Sequence, residues 1–208
     1  MIRARKNIAR KEVRPPGRPR AFDPEKALER ALRVFWERGY EGASLAGLTR
    51  AMKINRPSMY AAFGNKEQLF RKVLDRYAQE VGSHVHDGLR EATARGAIEK
   101  ILFDSAEALV STGHPRGCLL VQGALACGAE SRGIQRELCA RRGAGEALIR
   151  QRLERAKVEG DLAAEADPAE LASFVATVLN GMSVQAAGGA DAKKLRGIAE
   201  RAMQAWPS

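Results

Sequence analysis

Residues 44–70, SLAGLTRAMKINRPSMYAAFGNKEQLF, restrict this chain more than any other stretch. They read as two short helices joined by a tight turn, with a third helix following at once. Ser44 can cap the first, its hydroxyl accepting from an unpaired amide of the opening turn. Leu45, Leu48 and Met52 recur at the three-to-four spacing of one helical face. Lys53-Ile54-Asn55 makes the turn, and Pro57 falls in the first turn of the next helix, where its missing N–H costs nothing. Gly64 ends that helix after about two turns, too short to persist alone in water. Phe63 is its firm anchor, with Met59 and Tyr60 assisting, while Arg56, Ser58, Ala61 and Ala62 are small or hydrogen-bonding. Such a helix needs a scaffold behind it and offers an outer face shaped for close approach. A DNA major groove requires that combination.

Charge points the same way. The chain carries a net +10, of which residues 1–20 hold +7, residues 21–81 hold +3, and residues 82–208 balance to zero. A basic N-terminal part beside a neutral remainder predicts a polyanionic partner for one domain only. Double-stranded DNA fits better than a membrane surface, because the basic arm has few apolar residues (Ile2, Ile8, Val13) and no wide hydrophobic face. No run of about 18 apolar residues exists, so no transmembrane helix and no membrane partner are expected. The basic start lacks a following apolar region and cleavage site, unlike a secretory signal. Three widely spaced cysteines fit a reducing, cytoplasmic compartment rather than a disulfide scaffold.

The 208 residues divide on this reading into a basic arm (1–22), a DNA-binding unit (23–81) and a helical ligand-binding and dimerisation domain (82–208). The arm's Pro16-Gly17-Arg18-Pro19-Arg20 resembles the short hooks that lay arginines in a narrow minor groove, which makes Arg18 and Arg20 candidate DNA contacts. Asp23 and Pro24 are a cap and first position for a helix with the stripe Leu28, Ala31, Leu32, Phe35 and Trp36, stopped by Gly39. With the two short helices it makes a three-helix unit. Asn65 and Gln68 stand at capping-box spacing ahead of Leu69, Phe70, Val73, Tyr77 and Val81, a longer helix that links this unit to the rest. Helices are predicted over 84–94, 97–112, 116–128, 131–160, 168–188 and 191–206, broken at Gly113-His114-Pro115 and restarted at Asp167-Pro168. The last two are amphipathic and suit packing on the body or against the same pair of a second copy. The fold class is all-α, an N-terminal three-helix helix-turn-helix domain followed by a helical domain.

The capped helix, the turn and MYAAFGNKEQLF closely resemble the TetR/AcrR family of bacterial repressors, over residues 23–81. The matching positions are Tyr60, Phe63, Asn65, Lys66, Glu67, Leu69 and Phe70. Many members carry a second aromatic immediately before the phenylalanine, where this chain has Ala62, so a different base preference is expected. The resemblance implies phosphate contacts for Tyr60 and Lys66 and groove-facing roles for Arg56, Ser58 and Ala61. Ser44 and Thr49 join them at the DNA-binding face, Thr49 as a backbone contact. An arginine at position 56 can bind guanine bidentately, worth about 1–3 kcal/mol of discrimination. The resemblance also implies a homodimer and a small-molecule effector in the C-terminal domain. Helical facing nominates Phe103, Glu107, Cys118, Gln122, Phe174 and Val178 for that site. A rival reading makes Cys118, beside Arg116 and near a helix start, a redox or electrophile sensor, since both neighbours favour the thiolate. Cys127 cannot reach Cys118 along one straight helix, and Cys139 reads as packing.

Other chemistry finds no support in the sequence. His84 and His86 fall on different helix faces, and with His114 and the cysteines offer no close metal-ligand spacing, so no metal is expected. Gly143-Ala144-Gly145 follows no strand and lacks the third glycine of a dinucleotide fingerprint. Neither an enzymatic motif nor a cofactor site is visible. An architectural DNA-binding protein without sequence preference remains as a further alternative.

Overall fold

A computed structural model describes residues 22–80, 82–125 and 131–207, and among these the secondary structure is helical throughout. Pro24–Gly42 forms α1, capped by the Asp23 carboxylate, which accepts from the Glu25 and Lys26 amides. The sequence placed its end at Gly39. Instead Gly39 takes φ +68° and ψ 178°, a kink after which one further turn runs to Gly42. Leu45–Met52 is α2 and Arg56–Phe63 is α3, capped by Ser44 and Asn55 respectively. Lys66–Glu80 is α4, opened by the reciprocal box in which Asn65 accepts from the Gln68 amide at 2.8 Å and Gln68 accepts from the Asn65 amide at 2.9 Å.

Beyond α4 come α5 (Ser83–Gly88), α6 (Ala94–Ala108), α7 (Leu119–Leu125), α8 (Arg132–Glu159), α9 (Pro168–Ala187) and α10 (Ala192–Gln204). Two of them start differently from the sequence reading. Thr93 caps α6 through the Gly96 amide, which brings its start forward to Ala94 and cuts α5 short. Gly117 adopts φ +83°, so α7 begins at Leu119 rather than at Arg116. The Asp167-Pro168 and Asp191 starts of α9 and α10 are capped by those aspartates.

Two apolar cores result. The first wraps Phe35, Trp36, Leu48, Met52, Met59, Phe63, Leu69 and Phe70 of the first four helices, and continues into Leu119 and Ala124 of α7 and Ile134 and Leu138 of α8. Aromatic rings knit it together: Phe35 and Phe70 at 4.8 Å, Tyr40 and Phe70 at 5.2 Å, Trp36 edge-on to Tyr77 at 4.9 Å. The second gathers apolar residues of α6, the C-terminal half of α8, α9 and α10. Because α7 and the start of α8 share the first core, they pack directly on residues of the first four helices. Across the same join, Arg71 and Asp75 of α4 pair with Glu137 and Arg141 of α8 at 2.8 and 2.7 Å. No helix among the described residues is long and apolar enough to cross a membrane.

Candidate nucleic-acid interface and internal cavity

The short helix α3 divides cleanly into two faces. Met59 and Phe63 are buried in the first core, with the Phe22 ring 6.3 Å from that of Phe63. Arg56, Tyr60 and Ala61 are exposed on the outside, Tyr60 to 47 %, and Ser58 is half-buried between them. The sequence assigned Tyr60 partly to packing; its ring projects outward instead. The Asn55 side chain accepts from the Ser58 amide at 2.8 Å and so fixes where the helix begins. Gly64, at φ +79°, ends it with its N–H donated to the Tyr60 carbonyl. A Cβ at Gly64 would fall 1.9 Å from Gln68 Oε1, the acceptor that closes the α4 capping box. Only glycine lets the end of α3 and the start of α4 sit this close.

Around α3 the expected contacts take different places. Ser44 is exposed, although its hydroxyl oxygen already accepts from the Gly47 amide at 3.0 Å. Thr49 corrects the sequence reading: it is 8 % exposed, and its hydroxyl donates to the Leu45 carbonyl of its own helix at 2.9 Å. It is buried rather than open to solvent, and a helical threonine commonly turns its hydroxyl this way. Lys66 is half-buried with Nζ 4.4 Å above the Tyr40 ring; burial lowers its pKa and Glu41 pulls it partly back. Arg50 and Lys53, overlooked in the sequence, are exposed cations flanking the turn. The Tyr40–Lys66 contact had no sequence signal, because nothing in either segment's periodicity joins them. Arg18 and Arg20 lie outside the described residues.

A cavity of about 470 Å³ opens among α4, α5, α6, α7, α8 and α9. Of the six residues nominated by helical facing, Cys118 lines it and five do not. Glu107 points away to pair with Arg196 of α10, and Gln122 turns back to donate to the Arg116 carbonyl. Phe103 and Val178 pack against the second core, and Phe174 is 43 % exposed on the outer side of α9. A single helix's periodicity gives its apolar face but not its rotation against neighbours, so inward and outward were exchanged. Residues that sequence reasoning missed include Tyr77, His84, Ser105, Arg141 and Arg142. The adjacent arginines beside small Gly143 and Gly145 were the available signal. Cys139, read as packing, is exposed and lines the cavity, its sulfur 3.4 Å from Arg142 Nη2.

Cys118 links three parts of the molecule. The Tyr77 hydroxyl of α4 donates to its Sγ at 3.2 Å, and its own amide donates to Ser183 Oγ of α9 at 2.8 Å. Burial pushes the Tyr77 phenol well above its ordinary pKa, and Cys118 beside it adds to the rise, so the hydroxyl keeps its proton as donor. The Arg116 guanidinium instead donates to the Ala190 carbonyl at 3.4 Å. Cys127 lies outside the described residues.

A capped helix-turn-helix with an open outer face, carried on a second helical body that encloses a cavity, defines a DNA-binding transcriptional regulator. Residues 27–73 match the model for bacterial regulatory proteins of the tetR family, and residues 100–205 match the tetracyclin repressor-like C-terminal domain. The chain belongs to the TetR family of transcriptional regulators. It is 34 % identical to the HTH-type transcriptional repressor ComR of Escherichia coli K12, over 92 % of each chain. It is 30 % identical to the repressor BdcR of the same organism, over 95 % of this chain and 96 % of that one. Among solved structures, a cysteine-substituted form of the TetR family regulator CifR, complexed with 26-bp double-strand operator DNA, superimposes with a TM-score of 0.88. The two share 48 % sequence identity, covering 91 % of this chain and 100 % of that one.

Proposed function

We propose that this chain is a homodimeric repressor that occupies a pseudo-palindromic operator and is released by a small molecule entering the cavity. In this reading residues 1–22 are the arm, 23–81 the DNA-reading unit, and 82–208 the effector and dimerisation domain. The observation that carries it is α3, whose inner face is wholly buried while Arg56, Tyr60 and Ala61 stand open to a groove. Arg56 and Ser58 would read base edges, while Tyr60, Lys66 and Ser44 would position the helix on phosphates. CifR, bound to operator DNA, supports the same use of the same fold. Dimerisation through α9 and α10 is supported by Phe174 and Val184, both exposed on α9, and by Gly181 and Gly197, whose outer sides are open. Two α3 helices would then sit about 34–36 Å apart, one DNA turn. Selection of bound sequences from a random DNA pool tests the reading. An inverted repeat is expected, and enrichment without symmetry, or none, would count against it.

A second reading, a thiol sensor with Cys118 as its reactive group, is favoured by the Tyr77 hydroxyl resting on Sγ at the cavity wall. An adduct on that sulfur would displace the α4 hydroxyl directly. Treatment with N-ethylmaleimide distinguishes the two. If Cys118→Ser keeps the wild-type response in a DNA-release assay, the thiol is not the sensor.

A further inference from the structure

We infer that the cavity takes an amphipathic monoanion, an apolar tail ending in a carboxylate-type head, and that Arg141 reads the head. This rests on the cavity being the effector site. Its volume of about 470 Å³ and its wall of Val85, Leu109, Val121, Ile149 and Leu179 suit a tail of medium length. The charged groups on the wall are Arg141, Arg142 and Glu146, and Arg141 is also paired from behind the wall with Asp75 and Glu137. The Glu146 carboxylate is already engaged, accepting from the Ser173 hydroxyl. Arg142 is engaged as well, donating to the Leu120 carbonyl at 2.8 Å and to Cys139 Sγ. Arg141 is the group with capacity to spare. Among the described residues its hydrogen bonds, to Asp75 at 2.7 Å and Glu137 at 3.0 Å, both leave from Nη2. Nε and Nη1 remain for a ligand oxygen, and either two-pronged grip on a carboxylate also uses Nη2, so a ligand that takes the fork does so in place of a carboxylate now held there.

The position of Asp75 gives this contact a consequence. Asp75 belongs to α4, the helix that carries the DNA-reading unit, and Arg141 belongs to α8. A ligand carboxylate drawing Arg141 into the cavity competes with Asp75 for the same guanidinium. One of the two ion pairs across the α4–α8 join is thereby given up, while Arg71–Glu137 remains. The ligand therefore favours, by its own charge, the arrangement in which α4 is less firmly tied to α8.

Isothermal titration of the full-length protein with octanoate, octan-1-ol and octylamine, which share one tail, reads the head group without DNA. Octanoate is expected to bind at least about tenfold more tightly than the other two. Arg141→Met should erase that preference and leave octan-1-ol binding unchanged. Asp75→Asn removes the competing carboxylate without touching the cavity wall, and should raise octanoate affinity severalfold. Failure of octanoate to bind, equal binding of the three, or a preference indifferent to both substitutions overturns the inference. Loss of the repressor reading would show separately, as failure to select an inverted repeat from the DNA pool.

Discussion

Lys53 sits at φ 57° and ψ 41°, the left-handed conformation that turns the chain between α2 and α3. Among the described residues it is the non-glycine with positive φ. Side chains with a Cβ pay about 1–2 kcal/mol for that region, and glycine returns about 0.5–1 kcal/mol of it as unfolded-chain entropy. Lys53→Gly is therefore expected to raise the urea midpoint, by about 0.5–1 kcal/mol in stability, while weakening DNA binding through the missing cation. Thr49→Val tests the corrected place of Thr49. Its hydroxyl bonds within its own helix and the residue is buried, so fluorescence anisotropy with an operator duplex should show affinity within about twofold of wild type. A loss of about tenfold would return Thr49 to the DNA face. At the anchors the sequence was a sufficient guide. Met59, Phe63, Leu69 and Phe70 are apolar residues at helical spacing, and all four are buried. Thr49 was not legible, because a threonine on a short helix suits either face and only the packing of α1 on α2 decides.

The helix starts follow from local chemistry, which is why they could be read. Asp23-Pro24, Asn65 with Gln68, and Asp167-Pro168 each satisfy orphan amides within a few residues, needing nothing from the rest of the chain. The start of α7 is different. Gly117 has φ +83°, and a Cβ there would lie 2.1 Å from Gln122 Nε2 and 2.9 Å from the Ser183 carbonyl of α9. That constraint is tertiary, so the sequence placed the helix start at Arg116. Gly117→Ala is expected to cost about 1–3 kcal/mol, read from thermal or urea unfolding, and to disturb the Cys118 amide bond to Ser183. The cavity lining was hidden for the same reason. It depends on how α6, α8 and α9 are rotated against one another, and Glu107 of α6 turns out to Arg196 of α10, a partner in a distant segment.

For the molecule as a whole, the α4–α8 join sets how much an effector must accomplish. A half-exposed pair such as Arg141–Asp75 contributes about 0–1 kcal/mol. Driving a 1:99 equilibrium to 99:1 needs about 5.5 kcal/mol of differential binding. Displacing one ion pair is therefore a bias, and the greater part must come from tail burial and from repacking where α7 and α8 share a core with α1 and α4. Charge also acts over the whole chain. Residues 1–20 hold eight Lys/Arg, and removing them should lower DNA affinity and flatten its salt dependence, by about 0.9 in logarithmic slope for each phosphate no longer neutralised. An unchanged slope would make those residues bystanders. The balance of basic and neutral segments made the partner legible, while the bases it prefers were not, since the outward residues of α3 do not by themselves name a base. Repeating the random-pool selection with Arg56→Ala bears most directly on α3 as the reading element. The inverted repeat should survive with its spacing intact, and one symmetric pair of positions should lose its base preference, at about 1–3 kcal/mol per half-site. A consensus identical to that of the wild-type protein would contradict the placement of this helix in the groove.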